Sequence, residues 1–511
     1  MKVTFVYPSF EGLGIEYCSA VLKERGHSAT LALDPCLFAD TMLEVPWLAR
    51  FFDHRQAVVE SVLAGQPDLV AFSVVTDTYR WALATAAEIR KRSRVPIVFG
   101  GIHATSVGKV VLEEPCVDFV IRGEGEHALA ELADSLQTGA FDPSIRNLGY
   151  RSAAGEAVLN PLRPPIEDLD SLPFPDKSLY DGTSSEADFL YVLAASRGCT
   201  FACTFCNNSL HKHLYSGGLW MRRRSPANVL AELAAARARY RFEAVAFLDE
   251  VFTGDRDWLD EFCERYRKEV GLPYICCVHP QHLDEQIVDR LATSGCLKAN
   301  VGVQSVDDEL RRHVLHRPGS AEEVGRAIRL LKERNISVYA ENILGLPGQT
   351  EAHLLQTIRF YNRNRPTIVK MYWLSYYPGT EIVQAGLDSG ELVPDDLHRL
   401  ERGLGTRPFT AGGTRARPEF HRLFVLLVFL LWLPVRFVDW FLDRRLHRFL
   451  PAAGFARCSG LLMHLVNYDR SEREFHKRRL KRHYRHTLVR WLRARTCQRA
   501  TAASSERPST R

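Results

Sequence analysis

Over the first 140 residues, short runs of continuous apolar residues alternate with segments whose apolar positions recur at helical spacing. "VTFVYP" opens the chain, and "GIEYCSAVLKERGH" follows with a helical pattern that stops at Gly26. "DLVAFSVV" (68–75), "VPIVFGG" (95–101) and "VDFVIRG" (117–123) read as further strands. Between them, "YRWALATAAEIRKRS" (79–93) has a helical period, as does the stretch after "RGEGE". Strands apolar on both faces, separated by amphipathic helices, predict a doubly wound parallel sheet. Ligands of such sheets bind at the carboxyl ends of the strands, near the point where strand order reverses. That rule singles out Ser73–Thr76, Gly100–Thr105 and Gly123–Glu126.

The rhythm is lost over 141–190, where the proline-rich "NPLRPPIEDLDSLPFPDKSLY" (160–180) reads as a linker strapped over the surface. It returns over 191–385. Strand candidates there are "LYVLAAS", "AVAFLDE", "YICCVHP", "LKANVGVQS", "ISVYAENILG" and "IVKMYWLSY". Helical segments lie between them, one of them started by Ser225 as N-cap with Pro226 in the first turn. Six strand–helix units predict a full or partial β/α barrel with its active site at the strand carboxyl ends. Residues 386–511 read as a separate helical region. Within it, Leu423 to Leu433 is an uninterrupted apolar run, ended by Pro434, Arg436 and Asp439. A strongly basic, helix-compatible stretch follows over 470–495.

Composition adds three constraints. At 46% apolar and 25% charged, the 511 residues form an ordinary globular chain of several domains. The opening residues lack the basic, apolar and small-residue segments of a signal peptide, which predicts a cytoplasmic protein in which the 12 cysteines are not a disulfide framework. The net charge of +5 conceals an acidic body and a basic tail, which gives the tail its own partner. Eleven apolar residues fall short of the ~20 that span a bilayer. With Trp432, Trp440, Phe441, Arg444, Arg445 and Arg448 nearby, the run predicts a helix or hairpin on an anionic membrane surface, with a barrel-packed helix and, if Arg436 and Asp439 are tolerated, a single span over 423–442 as the alternatives. Nucleic acid, the other anionic partner, is disfavoured because no basic and aromatic residues interleave.

The chemistry concentrates in "ASRGCTFACTFCNN" (194–207), directly after the first barrel strand. Cys199, Cys203 and Cys206 are three thiolates where a closed metal centre needs four. One bland reading is a Cys₃His zinc site completed by His211 or His213. The other is a [4Fe–4S] cluster with one iron left open, able to chelate a small molecule and pass it an electron. The C-x₃-C-x₂-C loop, with Phe205 before its last cysteine, resembles that of the radical S-adenosylmethionine enzymes. "FLDEVFT", "GVQS" and "NILGLPGQT" fall in the matching order at later strand ends. "MKVTFVYPSF", "FGGIHAT" and "VIRGEGEHAL" resemble the cobalamin-binding domain of one branch of that family, although no D-x-H-x-x-G motif supplies a lower cobalt ligand.

The resemblance implies a Rossmann- or flavodoxin-like α/β domain over 1–140, a linker over 141–190 and a partial (β/α)₆ radical barrel over 191–385. It implies a [4Fe–4S] cluster on the three cysteines, with S-adenosylmethionine and cobalamin as further cofactors. Cofactor contacts are expected from Ser73, Gly100, Gly101, His103, Gly123 and Glu124 in the first domain, and from Phe205, Asp249, Glu250, Gln304 and Ser305 in the second. A flavodoxin- or ferredoxin-like protein would supply the electron. The expected reaction is methylation of an unactivated carbon, with the membrane-seeking tail favouring an apolar substrate, a lipid, isoprenoid or tetrapyrrole. Alternatives are a cyclase or oxidase resembling the anaerobic magnesium-protoporphyrin ester cyclase, and a non-enzymatic membrane adaptor with a structural metal. A methylthiotransferase acting on tRNA is disfavoured, since Cys18, Cys36 and Cys116 are scattered.

Overall fold

The computed structural model describes residues 1–8, 11–38, 45–181, 187–215, 221–404 and 418–450, together with Lys477, Arg478, Lys481 and Tyr484. The first sheet has seven strands: β1 (Lys2–Pro8), β2 (Ser28–Asp34), β3 (Leu69–Ser73), β4 (Ile97–Gly100), β5 (Phe119–Ile121), β6 (Leu148–Arg151) and β7 (Ala157–Leu159). Their order is β2-β1-β3-β4-β5-β6-β7. The first five are parallel, and β6 and β7 add antiparallel at the edge. The order reverses between β1 and β3, the flavodoxin-like switch point. Val70, Phe72 and Phe99 on one face and Val3, Phe5 and Val98 on the other are buried under helices on both sides. The linker expectation for 141–190 is therefore corrected at its start, because residues up to Leu159 complete this sheet. The rest runs over the surface, with Pro161, Pro164, Glu167, Asp168, Ser171 and Phe174 exposed, and is anchored at its end by Lys177, which is 3% exposed and pairs with Glu16 (2.7 Å) and Glu11 (3.3 Å).

The second sheet takes β8 (Leu190–Leu193), β11 (Ala244–Phe247), β12 (Tyr274–Val278), β13 (Cys296–Gln304), β14 (Ser337–Leu344) and β15 (Ile368–Trp373) in that spatial order, all parallel. Two-residue strands β9 (Ser196–Arg197) and β10 (Arg222–Arg223) pair beside it, with Arg222 opposite Arg197. This is the predicted partial barrel. Its outer core joins the strands to their helices through Phe247, Phe262, Leu291, Val301, Ile328 and Ile358.

The apolar run near the C-terminus belongs to this core, the barrel-packed alternative of the sequence analysis. Helices Pro418–Phe429 and Val435–Asp443 cover β15 and helix Glu351–Asn364. They bury Phe420, Leu423, Phe424, Leu427, Val438 and Leu442, and the turn between them buries Leu430. Sequence alone cannot say whether an apolar stripe meets lipid or protein, and here protein takes it. Among the described residues no helix is long and apolar enough to cross a membrane. Of the basic stretch 470–495, all but Lys477, Arg478, Lys481 and Tyr484 lies outside the described residues.

Candidate active site

The two sheets meet through their strand carboxyl ends. Beyond β3, Asp77 accepts a hydrogen bond from the Tyr377 hydroxyl, which follows β15 (3.3 Å). Beyond β5, Glu124 accepts from Arg197, which follows β8 (3.1 Å). Ala194 and Arg197, just beyond the end of β8, also line the cavity on the first sheet's strand ends.

On the first sheet this face carries a cavity of about 340 Å³ at the ends of β1, β3, β4 and β5. Ser73, Gly100, Gly101, Gly123 and Glu124 all line it, as does the start of helix Leu13–Glu24. The glycine that ends β4, Gly100, and the one that follows it, Gly101, serve different ends. Gly101 has φ +89°, and a Cβ there would lie 2.7 Å from the Val74 backbone, so the turn itself requires glycine. A Cβ on Gly100 would meet no protein atom closer than 3.8 Å, so packing does not demand glycine there, and its bare backbone widens the cavity. Such a floor fits a large ligand that approaches the main chain. His103 is placed differently from expectation. It is 1% exposed, packs against the Tyr79 ring in a tilted pair (4.2 Å) and shares a hydrogen bond with the Thr76 hydroxyl (3.0 Å), outside the cavity lining. Burial pushes its pKa down to about 4, keeping the ring neutral.

The cysteine loop leaves β8 through Gly198, whose φ of +83° makes the turn. Each sulfur faces an N–H donor: the Phe201 amide on Cys199 (3.4 Å), the Asn208 amide on Cys206 (3.5 Å) and the Arg317 guanidinium on Cys203 (3.4 Å). Donors directed at sulfur favour thiolate and stabilise the reduced state of an iron–sulfur centre. Burial raises the Cys206 thiol to about 12, so a bound cation is needed to hold it ionised. Among the described residues no three Cys, His, Asp or Glu side chains converge on a single-ion site. His213 is instead engaged with Glu381 (2.7 Å). Phe205 packs into the core around Leu310, Leu346 and Leu374.

At the other strand ends, the two acids after β11 divide. Asp249 is 1% exposed; it accepts from the Ala195 amide (2.9 Å) and the Ser196 hydroxyl, so both oxygens brace the stem of the cysteine loop. Glu250 is exposed, and its charge bears on Cys199 and Cys206. Gln304 ends β13 in a left-handed conformation (φ +66°), and its amide lies with Arg317 over Gly302. Ser305 is turned inward: its hydroxyl accepts from the Asp307 amide (3.1 Å) and its carbonyl from buried Arg311 (3.0 Å). The sequence reading did not single out Arg197, Arg222, Tyr215 or Arg317. Arg197 stands two residues before Cys199, and Arg222 opens an "RRR" run, signals that an arginine search around the loop would have met.

Two family models match the chain, the B12 binding domain over residues 4–133 and the radical SAM superfamily over 193–361. The first covers the sheet with the cavity and the second the barrel with the cysteine loop. The chain belongs to the cobalamin-dependent radical S-adenosylmethionine enzymes. An uncharacterised methyltransferase of Pyrococcus horikoshii is 26% identical, over 77% of this chain and 84% of its own. The anaerobic magnesium-protoporphyrin IX monomethyl ester cyclase of Rubrivivax gelatinosus is 25% identical, over 74% and 68%. The same fold is found in TsrM from Kitasatospora setae, a radical S-adenosylmethionine methyltransferase solved with cobalamin and a [4Fe–4S] cluster bound. Its TM-score is 0.60 at 19% identity, over 75% of this chain and 73% of that one. The expected family, fold class and cofactor set of cluster, S-adenosylmethionine and cobalamin all stand.

Proposed function

We propose that the protein methylates an unactivated carbon of a small, largely apolar molecule held between the two strand-end faces. The observation that carries this reading is the opposition of the cavity of the first sheet to the cysteine loop of the second. Val75 beyond β3 and Leu248 beyond β11 are 46% and 55% exposed, apolar side chains that suit an apolar guest. When bound, the cluster with S-adenosylmethionine supplies a hydrogen-abstracting deoxyadenosyl radical, and cobalamin supplies the methyl group. The chain's own part is to place and shield these groups. Cys199, Cys203 and Cys206 would hold the cluster, and Glu250, Gln304 and Arg317 would lie toward S-adenosylmethionine. Gly100, Gly101, Ser73 and Gly123 form the cobalamin floor. A flavodoxin- or ferredoxin-like protein delivers the electron.

The similarity to the ester cyclase supports a second reading, ring formation or oxidation on the same cofactors. Anaerobic purification with cobalamin, then mass spectrometry of extracts with and without the gene, separates them. A product heavier by one methylene supports methylation; loss of hydrogen or gain of oxygen supports the second reading. A protein that cleaves no S-adenosylmethionine under dithionite would be the metal-containing adaptor instead. Peripheral membrane contact belongs to the same proposal. Trp432, Phe437, Trp440 and Phe449 stay exposed on the outer face of the C-terminal helices, beside Arg436, Arg444 and Arg448.

A further inference from the structure

Both ends of the cysteine loop are tied to one turn of the cobalamin domain. At its start, Arg197 in β9 donates through Nη1 to Glu124 (3.1 Å) and through Nη2 to Glu126 (2.6 Å). Arg222, paired opposite it in β10, donates to the same Glu124 oxygen (2.9 Å) and to the Ile166 carbonyl (2.8 Å). The second Glu124 oxygen accepts from the Ile166 amide (2.7 Å). Beyond the loop, helix Asn207–Leu214 begins directly after Cys206 and ends at Tyr215. The Tyr215 hydroxyl sits on Gly123 and accepts from the Glu124 amide (3.3 Å). The side chains of Glu124, Glu126 and Arg222 are 12%, 5% and 2% exposed, and Arg197 lies against the Tyr17 ring. Five side chains and one backbone amide thus bind "RGEGE" to the segment that bears the three cysteines.

We propose that Glu124 and Glu126 are positioning residues: their ion pairs with Arg197 and Arg222 fix the separation between cobalamin and the cluster. The inference rests on the cofactor placement given above. Three features favour a rigid spacer over an ordinary surface pairing. The carboxylates are buried, so breaking one contact strands a charge. Arg197 forks across two acids, which fixes direction as well as distance. The turn also carries the cavity lining, through Gly123, Glu124, Gly125 and Glu126, so any shift moves the cobalamin floor itself. An ångström of misplacement between reacting groups costs up to ~100-fold in rate, so such a spacer has a use.

The test needs no substrate. Holoenzyme with cob(II)alamin and reduced cluster is compared with E126Q and with the E124Q/E126Q double variant by pulsed electron paramagnetic resonance. Iron and cobalamin content are measured alongside. The expected result is one narrow distance distribution in the parent. In the variants it broadens or shifts with both cofactors still at full occupancy, and E126D restores much of the narrow distribution. An unchanged distribution in the double variant overturns the proposal, as does loss of cobalamin or iron in proportion to the broadening. If the double variant does not fold, E126Q alone decides. A parent protein that shows no cob(II)alamin signal refutes the underlying cofactor assignment instead, and the two failures are told apart in the first measurement.

Discussion

Gly123→Ala is the substitution whose cost can be worked out most fully. Gly123 has φ +74°, and a Cβ placed on it would lie 1.8 Å from the Tyr215 hydroxyl oxygen and 3.0 Å from its Cζ. The left-handed backbone alone costs a non-glycine residue about 1–2 kcal/mol. The overlap forces the buried tyrosine to move, adding about 1–3 kcal/mol of overpacking and about 1 kcal/mol for its hydrogen bond to the Glu124 amide. The sum, roughly 3–6 kcal/mol, is comparable with the whole stability of many domains. Urea unfolding of the parent, Gly123→Ala, Tyr215→Ala and the double variant separates the parts. In the Tyr215→Ala background the glycine substitution should cost only the backbone share, so the coupling between the sites is about 2–4 kcal/mol. Equal costs in both backgrounds, or a cost under about 1 kcal/mol in the parent, would show that the tyrosine is not seated on this glycine.

Replacing Cys199, Cys203 and Cys206 together by serine should abolish iron binding and S-adenosylmethionine cleavage while far-ultraviolet dichroism is retained; iron analysis and deoxyadenosine assay decide it. His103 gives a pH dependence. Its pKa falls from 6.5 unfolded to about 4 folded, so its neutral burial stabilises above pH 6.5 and that stability is lost as pH falls toward 4. The full leg is about 3 kcal/mol, and denaturation midpoints of His103→Phe should decline less over that window than those of the parent. Leu427→Ala, at a side chain 1% exposed, should cost about 2–5 kcal/mol whether or not lipid is present. By contrast, a Trp432→Ser/Trp440→Ser variant should lose flotation with phosphatidylglycerol vesicles and keep its stability; equal flotation of variant and parent would refute membrane contact by this face.

Legibility followed burial. Strands β3, β4 and β11 were readable because both faces are covered, so their residues form unbroken apolar runs, whereas β13–β15 were readable from apolar residues that recur around Lys298, Asn300, Glu341 and Lys370. Strand β2, "SATLALD", escaped notice because it lies at the sheet edge, where exposed and half-buried residues alternate over its first half. Strands β6 and β7 are likewise short and peripheral, and prolines downstream masked them. For the site, spacing revealed which residues stand at strand ends, but not where their side chains turn. Asp249 and Glu250 are neighbours with opposite fates, one bracing Ala195 and Ser196 and the other exposed beside the cysteines. His103 and Ser305 turn inward onto buried partners, Tyr79 and Arg311, that their own spacing does not reveal. Arg197 and Arg222 were missed for the same reason: an arginine acquires meaning only from the acid it meets.

The cover that residues 418–443 place over β15 also sets an order of manufacture. The six barrel strands leave the ribosome in the same sequence in which they lie side by side, so each can dock on its predecessor as it appears. The last of them keeps a bare apolar flank, with Trp373 and Met371 on it, until Phe424 and its neighbours have been translated. A stalled or clipped chain ending before Pro418 would therefore be a sticky one, and a natural client for a chaperone.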